Sequence, residues 1–232
     1  MKPELIVMLT HHDRTVDNAQ ELFDSLKDTP VRHWGFKDVG LPPAQMKRLV
    51  GQMRAAGKVT YLEVVSLSEQ EGLDGAKLAV EAGFDILMGT VFFDSINDFL
   101  KDKPIKYYPF PGHVYSHPSI LDGSIDEIVA HALFLESKGV AGMDLLAYRY
   151  TGDAYKLLKE VVRSTHIPLV SAGSVATFQR IAEIWDTQAW GFTIGSAFFE
   201  STFAANSSFK ENMMLVWDWL QKNDSTSMKK YL

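Results

Sequence analysis

The stretch LVSAGSVATFQRIAEIWDTQAWGFTIGSA, Leu169–Ala197, decides the fold class. A short apolar run, Leu169–Ser171, gives way to small residues. A helical pattern follows near Phe178–Trp185, and a second short apolar run, Gly191–Gly195, comes next. Two brief buried strands joined by a helix make a βαβ unit. Such a unit implies a parallel sheet, because a parallel crossover needs a connection long enough to hold a helix.

The same alternation extends upstream. Strands are predicted at Leu5–Thr10, Val31–Lys37, Val59–Ser66, Asp85–Gly89, Ile105–Phe110 and Asp144–Arg149. Between them lie helical stretches. Thr15–Lys27 carries Ala19, Leu22, Phe23 and Leu26 at helical spacing. A second helix is opened by Pro42 and Pro43, where proline costs no hydrogen bond, and closed by Gly57. Further helices end at Gly83 and span Ser95–Leu100, Ile125–Lys138, Asp153–Ser164 and Phe209–Gln221. Eight strand–helix units in 232 residues favour a single-domain (β/α)8 TIM barrel over 1–223, followed by a polar tail, 224–232. A doubly wound open sheet is the runner-up, and no GxGxxG turn follows the first strand to support its dinucleotide form. Met88–Ser95 and Ile194–Ser201 match residue by residue, one half-chain apart. That points to half-barrel pseudo-symmetry, with chance likeness between short apolar strands as the alternative.

Composition narrows the function classes. Hydrophobic residues make up 46% of the chain and charged ones 22%, enough for one sizeable core. A net charge of −6 argues against a nucleic-acid partner. With no cysteine, disulfides, thiolate metal sites and a cysteine nucleophile are excluded. No apolar run approaches the ~18 residues of a membrane span, so a cytoplasmic protein without membrane partners is expected. Trp217 and Trp219 cannot both face inward from the last helix, which leaves a homodimer contact open.

The strongest chemical signal is the pair of turns Ala172-Gly173-Ser174 and Gly195-Ser196, each directly after a strand. Small residues let backbone N–H groups converge on an anion, and in barrels the turns after the last two strands are a recurrent phosphate site. These turns resemble those of the ribulose-phosphate-binding barrels, a superfamily of phosphosugar isomerases, epimerases and decarboxylases. The resemblance covers the eight-unit architecture and the two turns. It implies phosphate binding by Gly173, Ser174, Gly195 and Ser196. It stops short of any one family, since the Asp-x-Lys-x-x-Asp motif of the orotidylate and gulonate-phosphate decarboxylases is missing.

Polar residues at strand C-termini are the candidates for chemistry. Lys37 can stabilise an oxyanion, or form a Schiff base if desolvation lowers its pKa; Glu63, inside an apolar run, can act as general base. A structural ion pair between them is the alternative. Arg149 suits a second anion or a rim salt bridge, Thr90 a substrate contact, and His11 an acid at the mouth. Asp144 and Asp85 are expected at the opposite end of the barrel, as stability residues. His11 and His12 on one strand would point to opposite faces, so no metal site is expected and no cofactor is demanded. The aromatic stretch Tyr107–Tyr115 reads as a lid or as rim packing, with the roles of His113 and His117 open. The function these residues imply is an enzyme for a phosphorylated small metabolite, working by isomerisation, epimerisation or carbon–carbon cleavage. The alternatives are a phosphometabolite-sensing barrel of the antiterminator kind and an FMN-binding barrel.

Overall fold

A computed structural model describes the backbone of residues 1–227 and side chains through residue 224. The eight barrel strands are β1 (Glu4–Met8), β2 (His33–Lys37), β3 (Val59–Val64), β4 (Ile86–Val91), β5 (Lys106–Phe110), β6 (Met143–Leu145), β7 (Leu169–Ser171) and β8 (Gly191–Ile194). Around them lie α1 (Ala19–Leu26), α2 (Pro43–Ala55), α3 (Glu69–Ala82), α4 (Asp94–Leu100), α5 (Ile125–Ser137), α6 (Ala154–Ser164), α7 (Phe178–Thr187), the short α8 (Ser196–Phe199) and α9 (Phe209–Ser227). The parallel sheet runs β6-β7-β8-β1-β2-β3-β4-β5. Between β5 and β6 the ring is nearly closed: the Ala141 N–H donates to Tyr107 O at 3.1 Å. The chain is a (β/α)8 barrel.

Alternation along the strands sorts side chains into two cores. Outward residues such as Leu5, Val7, Trp34, Phe36, Leu62 and Phe192 pack under the helices. Inward residues Ile6, Met8, Tyr61, Ile86, Met88, Tyr108 and Val170 fill the barrel. Each fully buried large side chain contributes about 1.5–3 kcal/mol. Above the apolar filling sits a polar layer, and it positions the site.

Three local features differ from the sequence expectations. Beyond β1 the chain makes a hairpin, Thr10–His11 against Arg14–Thr15, and α1 begins only at Ala19. The predicted strand Asp144–Arg149 stops at Leu145 and becomes a 3-10 turn over Ala147–Arg149. The last helix runs beyond Gln221 to Ser227; the rest of the expected tail, 228–232, lies outside the described residues. No helix among the described residues is long and apolar enough to cross a membrane.

Candidate functional site

A cavity of about 740 Å³ opens at the C-terminal end of the strands. Its lining joins residues far apart in the chain: Asp13, Lys37, Glu63, Arg149, Gly173, Ser174, Arg180, Gly195, Ser196 and Glu200. Pro118, Ser119 and Ile120, from the long β5 connection, form part of its wall. That connection folds as a small hairpin, His113–Tyr115 against Ile120–Asp122. His113 stacks on Tyr115, and neither His113 nor His117 lines the cavity.

The floor is an ion network. Lys37 and Glu63 are register neighbours on β2 and β3, both pointing inward. Lys37 Nζ lies 3.2 Å from Glu63 Oε1 and donates to Asp13 Oδ1 at 2.6 Å; all three side chains are under 10% exposed. Arg149 Nη2 donates to the same Asp13 oxygen at 2.9 Å. Asp13 was not anticipated from the sequence. It reaches the site because His12 and Asp13 form a two-residue hairpin turn with φ of 48° and 59°, the primed geometry that matches strand twist. Thr15 fastens that hairpin to β2, accepting from the Lys37 N–H at 2.9 Å and donating to Lys37 O at 2.7 Å.

Electrostatics assign charge states. Burial pushes the Asp13 carboxyl up, but hydrogen bonds and charge from Arg149 and Lys37 outweigh it and hold Asp13 at about 2. Burial pulls Lys37 down, and Glu63 and Asp13 more than reverse this, so Lys37 remains an ammonium. The desolvated neutral amine needed for a Schiff base is therefore not what this setting favours.

Asp144 corrects the sequence reading. It does not face the opposite end of the barrel. With β6 only three residues long, the strand's apparent start is its middle. Met143 and Leu145 pack outward, and Asp144 points inward beside its register partner Val170. It is fully buried, and neither carboxylate oxygen has a hydrogen-bond partner among the described residues. Burial, with the nearby Glu63 charge, raises its pKa well above the usual range, so it sits neutral beneath the ion network. Asp85 behaves as expected: its Oδ2 accepts from the Thr60 N–H and hydroxyl, both at 2.8 Å, at the N-terminal end.

The two small-residue turns both line the cavity wall. Gly173 has φ of 75° and Ser174 of 57°. A side chain on Gly173 would meet Arg149 Nε at 2.7 Å, so glycine there lets the guanidinium lie across the turn. The N–H groups of Gly173, Ser174, Val175, Ser196 and Ala197 have no acceptor among the described residues. Ala172 does not line the cavity: its N–H donates to Leu145 O at 2.8 Å and is spent on the sheet. Arg180 joins the turns from the first turn of α7, donating to Ser174 O and lying over the Tyr148 ring at 4.9 Å. A cation at a helix N-terminus opposes the dipole unless an anion accompanies it, and that was the available sequence signal for Arg180.

Two other candidates fall outside the cavity. Thr90, with φ of 49°, turns toward α3, its hydroxyl 3.3 Å from the point a Cβ on Gly72 would occupy; it is not placed to touch a ligand. The Met88–Ser95 turn therefore does not form a second corner like that of Ile194–Ser201. His12, rather than His11, lines the cavity. His11 packs on Phe199, with ring centroids 5.3 Å apart.

No protein-family model matches the sequence, and no curated protein matches it. Solved structures do. Orotidine 5'-phosphate decarboxylase from Pyrococcus horikoshii OT3 is 11% identical with a TM-score of 0.68, over 94% of this chain and 99% of that one. N-acetylmannosamine-6-phosphate 2-epimerase from Clostridium perfringens is 10% identical with a TM-score of 0.62, over 84% and 86%. FabK from Thermotoga maritima is 14% identical with a TM-score of 0.58 over 85% of this chain, which spans 59% of that protein's length. Likeness at such identities establishes architecture alone, and the architecture these proteins share with this chain is the (β/α)8 barrel.

Proposed function

We propose that this barrel is an enzyme that binds a phosphorylated small metabolite and catalyses isomerisation, epimerisation or carbon–carbon cleavage through an enediolate-like intermediate. One observation carries the reading. A single cavity holds unspent N–H groups with Arg180 on one wall and a desolvated Lys37–Glu63 pair on its floor.

In this reading the turns at 173–175 and 195–197 hold the phosphate and thereby fix the rest of the ligand over the floor. Glu63 takes a proton from the carbon next to a carbonyl. The electron pair moves onto the carbonyl oxygen, where the Lys37 ammonium stabilises the charge; Asp13, itself held by Arg149, keeps that ammonium in place. Return of the proton to the former carbonyl carbon, with the neighbouring hydroxyl proton passing to the oxyanion as the new carbonyl forms, gives isomerisation, and return to the opposite face of the same carbon gives epimerisation. If a carbon–carbon bond breaks instead, the same oxyanion receives its electrons. A phosphorylated ketose, aldose or keto acid meets these requirements.

The test is solvent deuterium exchange. A panel of sugar phosphates and phosphorylated keto acids is incubated with enzyme in D2O and followed by proton NMR. Exchange at the carbon beside the carbonyl, lost in Glu63→Gln with phosphate binding retained, supports the reading. Tight binding with no exchange or turnover across the panel favours a sensor. A shift in the FMN absorption spectrum on adding protein, reversed by phosphate, favours the flavin alternative.

A further inference from the structure

We infer that His11, His12 and Glu200 form a binding site for a divalent transition-metal ion at the cavity rim, with zinc the best-fitting ion. The sequence argued against it, since neighbouring residues on a strand point to opposite faces. The hairpin removes that objection. His11 ends a strand while His12 begins the primed turn, and the two rings come together with centroids 3.7 Å apart and planes 31° from parallel. Glu200 follows α8, and the three ligand atoms lie within 4.8 Å of one another.

The geometry is near that of a bound ion. Bonds of about 2.0–2.2 Å to nitrogen and oxygen place the ligand atoms of a tetrahedral centre roughly 3.4 Å apart. His11 Nε2 and Glu200 Oε1 are 3.4 Å apart already. Rotation of the exposed His12 ring supplies the rest. An independent observation singles out His11 Nε2: it is screened from solvent yet makes no aligned hydrogen bond, even to the nearby Glu200. Burying a ring nitrogen without a partner is costly, and a metal bond satisfies it. The frame is braced, because the His12 N–H donates to Ser196 Oγ at 3.2 Å and so ties the hairpin to the helix preceding Glu200. Phe199 backs the His11 ring.

Two neutral imidazoles and one carboxylate form a donor set suited to zinc, cobalt or nickel rather than to magnesium or calcium. Three protein ligands leave at least one position open. His12 and Glu200 both line the cavity, so that position faces the ligand space beside Ser196. An oxygen of a bound anion, or water, would fill it.

The test needs no substrate, and its failure leaves the phosphate reading untouched. Tag-free protein is stripped with chelator and titrated with Zn²⁺ by calorimetry and with Co²⁺ by visible absorption. The expected result is one ion per chain, with cobalt d–d bands showing nitrogen ligation. His11→Ala, His12→Ala and Glu200→Ala should each weaken binding at least about tenfold, the scale seen even for residues that only support metal ligands. His113→Ala and His117→Ala should leave it unchanged. His12 and Glu200 are exposed, so their truncation should spare the fold, as circular dichroism would show. Absence of one-to-one binding, or equal affinity in a His11→Ala/His12→Ala double variant, overturns the proposal.

Discussion

Replacing Lys37 by methionine tests the ion network at the cavity floor. Methionine keeps most of the volume and removes the cation. Asp13 retains Arg149 at 2.9 Å, but among the described residues no other cation lies within ion-pair distance of Glu63. Breaking a buried pair from one side costs about 3–5 kcal/mol. All three carboxylate and ammonium side chains are 8–9% exposed, so little discount for surface screening applies. The cavity above lets water approach, which favours the lower end, ~3 kcal/mol, or a melting temperature lower by roughly 6–12 °C. Urea unfolding at pH 7 measures this for Lys37→Met, Glu63→Gln and the double variant. Glu63→Gln removes the stranded charge, so the double variant should recover at least ~1 kcal/mol relative to the sum of the singles. A Lys37→Met cost below ~1 kcal/mol, or additive singles, would refute the buried-network description.

Three further outcomes follow from the geometry. Thr90→Val should stabilise the fold by about 1 kcal/mol, because it removes a buried hydroxyl without a partner, and should leave phosphate binding unchanged; weakened binding would return Thr90 to the site. Gly173→Ala should cost about 1–2 kcal/mol from the left-handed backbone, and should displace Arg149, measurable as weaker phosphate binding by calorimetry. His33 gives a pH signature. Burial, with the Arg32 charge adding, holds its imidazole at about 4 despite Glu4 Oε2 at 3.6 Å. The unfolded chain takes up the proton first as pH falls, so the stability from neutral His33 is complete above about pH 6.5 and fades toward pH 4 by up to ~3 kcal/mol. Urea unfolding across that range should show this slope in the wild type and not in His33→Gln, the difference between them cancelling other titrating groups.

The eight-unit alternation was legible because strand and helix periods are set locally. So was the adjacency of Lys37 and Glu63, because both lie on strands whose inward faces follow from alternation. What escaped depends on turns. Asp13 and the pairing of His11 with His12 arise from a primed hairpin built on His12-Asp13, without the glycine that usually marks such turns. Asp144 reads from the sequence as a rim residue because one residue of strand offset separates the N-terminal rim from the interior, and short apolar runs do not fix that offset. The position of Thr90 is hidden for a related reason: Gly89 and Thr90 carry positive φ, the β4–β5 register shifts between Met88 and Val91, and simple alternation fails there. Likeness between Met88–Ser95 and Ile194–Ser201 did not survive as like backbone, since α4 begins only at Asp94 whereas α8 begins at Ser196.

The decisive measurement is a crystal of this protein soaked in inorganic phosphate. One anion is expected between the turns at Gly173–Val175 and Gly195–Ala197, about 2.7–3.2 Å from at least three of their backbone nitrogens and within reach of Arg180. Phosphate found only elsewhere, or those amides turned away from a vacant corner at saturating phosphate, would contradict the anion site on which the functional reading rests.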